Sequence, residues 1–228
     1  MKLPAPSPSL EATFPHRHDR ALAYLRGLLL DGGLEPDQII STEDVARSLG
    51  ISRAPTTDAI KRLSRDGFMD VVPQVGCRVR SPGPDEVADF YELFSRSEAL
   101  ITGFAAERRT AAQAAAFKSL ADEVEEQIGV LMKTEGSGPA LRALNRRRYE
   151  VIHELAGSAI TSELVANMWD RSDFYIRVAY GQFVFSRSVQ AANFKIANAV
   201  FAGDRKTAAT ESESYLASIG KLIAAELR

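Results

Sequence analysis

Between Ser41 and Phe68 the chain reads STEDVARSLGISRAPTTDAIKRLSRDGF, two helix starts with a single glycine between them. Ser41 opens the first, because STED has the form of a capping box with Asp44 in place of glutamate. Gly50 stops that helix. Ser52 stands as the N-cap of the next, which ends at Gly67, where a left-handed residue is expected. On a helical wheel Thr56, Ala59, Ile60 and Leu63 share one arc, while Ala54, Thr57, Asp58, Lys61 and Arg65 take the other. The net charge between residues 47 and 65 is +4. A short helix, a tight turn and a second helix with a basic outer face is helix-turn-helix geometry. In that geometry the second helix lies in the major groove of DNA with its first residues at the base edges. A solvated amphipathic helix accounts for the charge equally well, and the pattern alone leaves both readings open.

The rest of the chain is organised around one break, SPGPDE at Ser81–Glu86. Before it, a helix is expected over His18–Leu30, with Leu22, Leu25, Leu28 and Leu29 as its apolar stripe and DGG ending it. After the helix pair, FMDVVPQVGCRVR alternates around a Pro/Gly turn and reads as a two-stranded wing. Beyond the break the pattern is helical almost throughout, in stretches Asp85–Arg109, Thr110–Lys133, Pro139–Ala156, Ser162–Gln182, Ser186–Ala202 and Asp204–Arg228. Gly203 and Asp204 form a stop-and-start pair between the last two. The expected division is a disordered leader at 1–15, a winged helix-turn-helix at 16–80, a linker at 81–85 and a helical domain at 86–228. Composition agrees with a globular protein: 228 residues, 45% hydrophobic, 25% charged and a formal charge of −2. No apolar run approaches the roughly 20 residues of a membrane helix, so no membrane partner is expected. The opening MKLPAPSPSLEATFP has no continuous apolar core and does not read as a signal peptide. One cysteine, Cys77, fits a reducing cytoplasm.

SRAPTTDAIKRLSRDGF resembles the recognition-helix signature of the GntR family of bacterial transcription regulators. Ser52, Arg53, Pro55, Ala59, Ile60, Leu63, Asp66, Gly67 and Phe68 match it without a gap. Proline is tolerated in the first turn of a helix, so Pro55 fits physically. The resemblance implies DNA contacts from Arg53 and from Gly76 as the wing glycine. With the basic and polar neighbours, the candidate DNA-binding set is Arg47, Ser52, Arg53, Thr56, Thr57, Lys61, Gly76 and Arg78. Two positions depart from the family: Thr57 replaces a second arginine, and Glu43 stands where many members have a basic or amide residue. A carboxylate facing phosphate is unfavourable, so these residues imply weaker affinity or a different DNA sequence.

The segment from Asp85 to Arg228 resembles the FadR subgroup, whose ligand-binding FCD domain is an antiparallel helical bundle. Glu98, Asn145 with the AGS at Ala156–Ser158, and ANAVFAGD at Ala197–Asp204 carry that likeness. The implied fold is mainly α: an N-terminal winged helix-turn-helix and a C-terminal all-helical antiparallel bundle. Many members hold a metal on an Asp, a His one turn later and two further His. Those positions fall on Asn145, Tyr149, Asn193 and Tyr215, so no metal and no cofactor are expected. A second register with one gap would place Glu150 at a ligand position. Phe94 stands where the subgroup has an arginine for an effector carboxylate. The candidate effector-binding set is therefore neutral: Asn145, Tyr149, His153, Asn193 and Tyr215, suited to an uncharged or amphipathic ligand.

His16 and His18 read as solvated, the basic triplet Arg146–Arg148 as a solvated face, and Trp169 as core or dimer interface. One cysteine and three scattered histidines offer no converging catalytic set, so no enzymatic activity is expected. The resemblance implies a cytoplasmic, ligand-responsive, sequence-specific DNA-binding regulator. It would act as a homodimer on a short palindromic operator, with repression the expected direction. A helical adaptor with a degenerate winged helix is the alternative, kept open by Glu43 and Thr57.

Overall fold

The computed structural model describes residues 3–228. The chain divides into two compact units. The first takes the chain up to Pro82 together with Asp173–Gln182, and the second takes Gly83–Ser172 and Phe183–Arg228.

The first unit contains α1 (Leu10–Thr13), α2 (Arg17–Leu30), β1 (Ile39–Ile40), α3 (Thr42–Leu49), α4 (Arg53–Arg65), β2 (Met69–Val72) and β3 (Gly76–Val79). The helix pair starts and stops where its caps dictate. Ser41 Oγ accepts from the Asp44 amide at 3.0 Å, and Gly50 closes α3 in the left-handed region at φ 62°. Leu25, Leu29, Val45, Ala59, Leu63, Met69, Cys77 and Val79 are buried in the core of this unit. On α2 the stripe differs by one turn's edge: Leu28 is half-buried, and Tyr24 and Leu30 are buried instead. The wing has a third strand that the sequence did not announce. β1 pairs with β3 and β3 with β2, all antiparallel, with Ile40 opposite Cys77 and Val71 opposite Cys77 on the other side. Two residues are too few for an alternation to register.

The leader departs from the disorder expected over 1–15; its first two positions lie outside the described residues. Leu3 is buried, Tyr24 Oη donates to the Pro4 carbonyl, and Arg20 Nη1 pairs with Glu11 at 2.7 Å. These contacts are made to α2, and nothing in the leader's own periodicity signals them.

The second unit is built from α5 (Pro84–Arg108), α6 (Ala111–Leu131), α7 (Gly138–Ala156), most of α8 (Ala159–Tyr180), α9 (Arg187–Ala202) and α10 (Arg205–Glu226). Thr110 and Gln113 form a reciprocal capping box at the start of α6. Gly203 ends α9 at φ 78°, and Asp204 accepts from the Thr207 amide at 3.0 Å to start α10. α5 packs against α7 and α10, and α6 against α7 and α9. At Gly220 the helices come so close that an added Cβ would lie 2.4 Å from Tyr91 Cβ, which fixes the crossing of α5 and α10.

The division differs from one break at 81–85. α5 already begins at Pro84, and Asp173–Gln182 belongs to the first unit rather than to a single 86–228 domain. There Phe174 packs edge-on to Phe68 with ring centroids 5.4 Å apart, and Arg177 lies 3.0 Å from Glu35. Among the described residues no helix is long and apolar enough to cross a membrane.

Candidate nucleic-acid interface and helical core

The first turns of α3 and α4 and the β2–β3 turn border a cleft of about 410 Å³. Arg53, Thr57 and Lys61 line it from α4, Glu43 from α3, and Val71–Gly76 from the wing. Arg53 is the first residue of α4 and two-thirds exposed, at 67%. Its Nη2 lies 2.7 Å from Glu43 Oε2. Arg47 makes a parallel pair, Nη1 to Asp44 Oδ1 at 2.8 Å, with Glu43 Oε1 a further 3.9 Å contact. Thr57 Oγ1 donates back to the Arg53 carbonyl at 3.0 Å. That bond commits the hydroxyl proton and leaves Thr57 its methyl and the oxygen's acceptor lone pairs to offer.

Ser52 holds the N-cap position but makes no side-chain capping bond. The sequence removes one of its two possible partners. An N-cap hydroxyl accepts from the second or third amide of its helix, and here the third residue is Pro55, which has none. The exposed Ser52 hydroxyl is thereby left available to an outside acceptor.

Of the eight candidate DNA contacts, the cleft brings together Arg53, Thr57, Lys61 and Gly76. Arg47, Ser52 and Arg78 are exposed beside it. Thr56 is a correction. It is fully buried, with its hydroxyl unpartnered among the described residues, because it lies on the apolar arc of α4 with Ala59, Ile60 and Leu63. Gly76 is placed differently from a wing tip. It opens β3 at φ 151°, and a Cβ there would sit 2.2 Å from the Ile40 carbonyl oxygen, so β1 itself demands glycine. The exposed end of the turn is Pro73–Gln74–Val75.

In the second unit four of the five candidate effector residues converge. Tyr149 Oη donates to Asn193 Oδ1 at 2.8 Å, and Asn193 Nδ2 donates to Asn145 Oδ1 at 3.4 Å. Burial, with the Tyr215 phenol beside it, holds the Tyr149 hydroxyl well above the usual tyrosine range. His153 turns elsewhere: its Nε2 lies 2.9 and 3.1 Å from the two carboxylate oxygens of Glu98. Glu98 is fully buried and also accepts from Trp169 Nε1 at 2.9 Å. Trp169 in turn stacks on Tyr149 at 4.1 Å and meets Phe94 edge-on at 5.1 Å. Phe94, Glu98 and Trp169 were not among the candidates. The signal for Glu98 was present: with Tyr91, Phe94, Ile101 and Ala105 it occupies one helical stripe, and a carboxylate there must be partnered.

Amide and neutral phenol side chains are poor ligands for the metal that the fold family often carries, and here they bond to one another. Glu150, which the second register would recruit, is exposed. The basic triplet on α7 is a solvated face only at Arg147, which is exposed: Arg146 pairs with Asp170 at 2.6 Å, and Arg148 is buried against Glu125 at 2.6 Å.

The fold is thus a winged helix with an arginine-led exposed helix, carried on the same chain as a helical unit with a polar core. The chain belongs to the GntR family with an FCD domain: residues 17–79 match the profile "Bacterial regulatory proteins, gntR family" and 89–218 the FCD domain. An HTH-type transcriptional regulator of Streptomyces ambofaciens is 34% identical over 65 residues, 28% of each chain. One of Agrobacterium vitis is 27% identical over 109 residues, 48% of this chain and 63% of that one. The chain thus spans less than two thirds of the length of these relatives. Among solved structures, E. coli McbR/YncC superposes with a TM-score of 0.72 at 20% identity, covering 93% of this chain and 97% of that one. A GntR transcriptional regulator of Rhodococcus sp. RHA1 gives 0.71 at 22%, covering 93% and 99%. At those identities the likeness is one of fold.

Proposed function

We propose that this GntR-family regulator is a cytoplasmic, ligand-responsive repressor that binds a short palindromic operator as a homodimer. The observation that carries the reading is the exposed Arg53 at the head of α4, in one cleft with Thr57, Lys61 and the wing. Arg53 would read a base edge, Thr57 would offer its methyl to a thymine, and Arg47, Ser52, Lys61 and Arg78 would hold phosphates. Two-fold protein symmetry would match two half-sites. The helical unit would take an uncharged or amphipathic effector at Asn145, Tyr149, Asn193 and Tyr215, with His153 and Glu98 at its flank. It would do so without a metal or other cofactor. Ligand binding would act by favouring one of two states with different operator affinity.

The test is a fluorescence-anisotropy titration of the protein against its own upstream region across a salt series. Arg53→Ala is expected to weaken specific binding by roughly 5- to 100-fold, and Lys61→Ala to reduce the salt slope by about one. Unchanged affinity and slope in both variants would overturn the groove placement. No binding by the wild type favours the adaptor reading, to which Glu43, paired with Arg53, and Thr57 lend support.

A further inference from the structure

Glu43 is the residue that a phosphate-binding surface should exclude, yet it stands in the middle of the cleft. It is 58% exposed and lies 2.7 Å from Arg53, which is 67% exposed. So exposed an ion pair adds little to stability; what the fold itself draws from Glu43 is a carboxylate in the first turn of α3, near the positive end of that helix. What the pair does hold is geometry. Glu43 Oε2 engages Arg53 Nη2 at 2.7 Å, while Glu43 Oε1 lies 3.9 Å from Arg47 Nη2. An acceptor and a donor fork are thus presented side by side at the head of the α4 helix.

Base edges complement such a couple wherever an acceptor lies beside a donor in the major groove. Guanine offers two acceptors, O6 and N7, to an arginine fork, and cytosine offers its N4 amino group to a carboxylate. Phosphate offers acceptors only and would repel Glu43. We propose that Glu43 and Arg53 read DNA as a unit, Arg53 donating to guanine and Glu43 accepting from the N4 amino group of a cytosine in the same or the adjoining base pair. Glu43 is then a specificity-determining residue, which accounts for a carboxylate where the family's basic residue is expected. The inference rests on the DNA-binding reading above and names the sequence chemistry that reading would require.

The experiment is selection from randomised duplexes with the wild-type protein, Glu43→Gln and Arg53→Ala, followed by anisotropy on the selected site. The wild type is expected to select a cytosine next to, or paired with, the guanine that depends on Arg53. Glu43→Gln is expected to keep the guanine and lose the cytosine preference by roughly tenfold, shifting toward adenine, which a glutamine pairs with. N4-methylcytosine at that position should weaken the wild type and leave Glu43→Gln unaffected, a result that a merely structural Glu43 would not produce. Identical motifs for wild type and Glu43→Gln, or indifference of the wild type to N4-methylation, overturn this proposal alone. Failure of the wild type to select any motif overturns the DNA-binding reading and this proposal with it.

Discussion

Thr56 and Thr57 are the same residue side by side, and the structure gives them opposite work. Thr57 faces the cleft with its hydroxyl turned back on the Arg53 carbonyl, while Thr56 is buried with its hydroxyl unpartnered among the described residues. A buried hydroxyl without a partner costs more than it contributes, so Thr56→Val is expected to raise stability by about 1 kcal/mol. DNA affinity should stay where it was. Urea denaturation and anisotropy check the two halves, and a loss of affinity would return Thr56 to the interface. Tyr149 carries a pH consequence. Its folded phenol resists ionisation, whereas the unfolded phenol ionises near pH ~10. The unfolded state therefore releases its proton first, and this contribution to stability, whole below that pH, declines as pH rises through it. Tyr149→Phe is expected to flatten the alkaline limb of a stability profile between about pH 9 and 11. An alkaline limb as steep as the wild type's would show that Tyr149 ionises as freely in the fold as outside it.

At the level of elements, the starts and stops were legible because each is a local bargain between neighbouring residues. Ser41, Gly50, Gly203 and Asp204 all cap where their chemistry requires. Ser52 shows the limit, since Pro55 removes one of the two amides its hydroxyl could have capped and no capping bond forms. The strand β1 was not legible, for it consists of Ile39 and Ile40 alone and exists through its pairing with β3. Gly76 joins the two. Its identity could be read as a wing glycine, but the force that keeps it is the Ile40 carbonyl, 2.2 Å from where a Cβ would lie. Gly76→Ala is expected to destabilise the winged unit by more than about 1 kcal/mol, measured as the urea midpoint of thiol exposure at Cys77. Burial pushes that thiol up to about 12, so it stays protonated and unreactive until the unit opens. A variant as resistant as the wild type would mean that β1 does not hold this register.

The whole molecule offers two reporters, one for each unit, since it contains a single cysteine and a single tryptophan. Trp169 donates to Glu98, which also accepts from His153, so one buried carboxylate ties α5, α7 and α8 together. Removing it leaves the buried Trp169 indole N–H and the largely buried His153 ring without their partner. Glu98→Ala is expected to cost about 3 kcal/mol in the transition followed by Trp169 fluorescence, and less in that followed by Cys77 labelling. Equal shifts in both would show that the two units unfold as one. The sequence by itself determined the parts set by near neighbours: the helix pair and its turn, the long helices beyond Ser81–Glu86, and the basic arc of α4. Only the tertiary structure decided that Arg53 is held by Glu43, that His153 leaves the amide–phenol group for Glu98, that Gly76 answers to β1, and that Asp173–Gln182 joins the first unit. Periodicity and capping act within a turn or two of the chain. A partner for a charge is chosen from whatever the fold brings within about 3 Å, and that choice is made between elements.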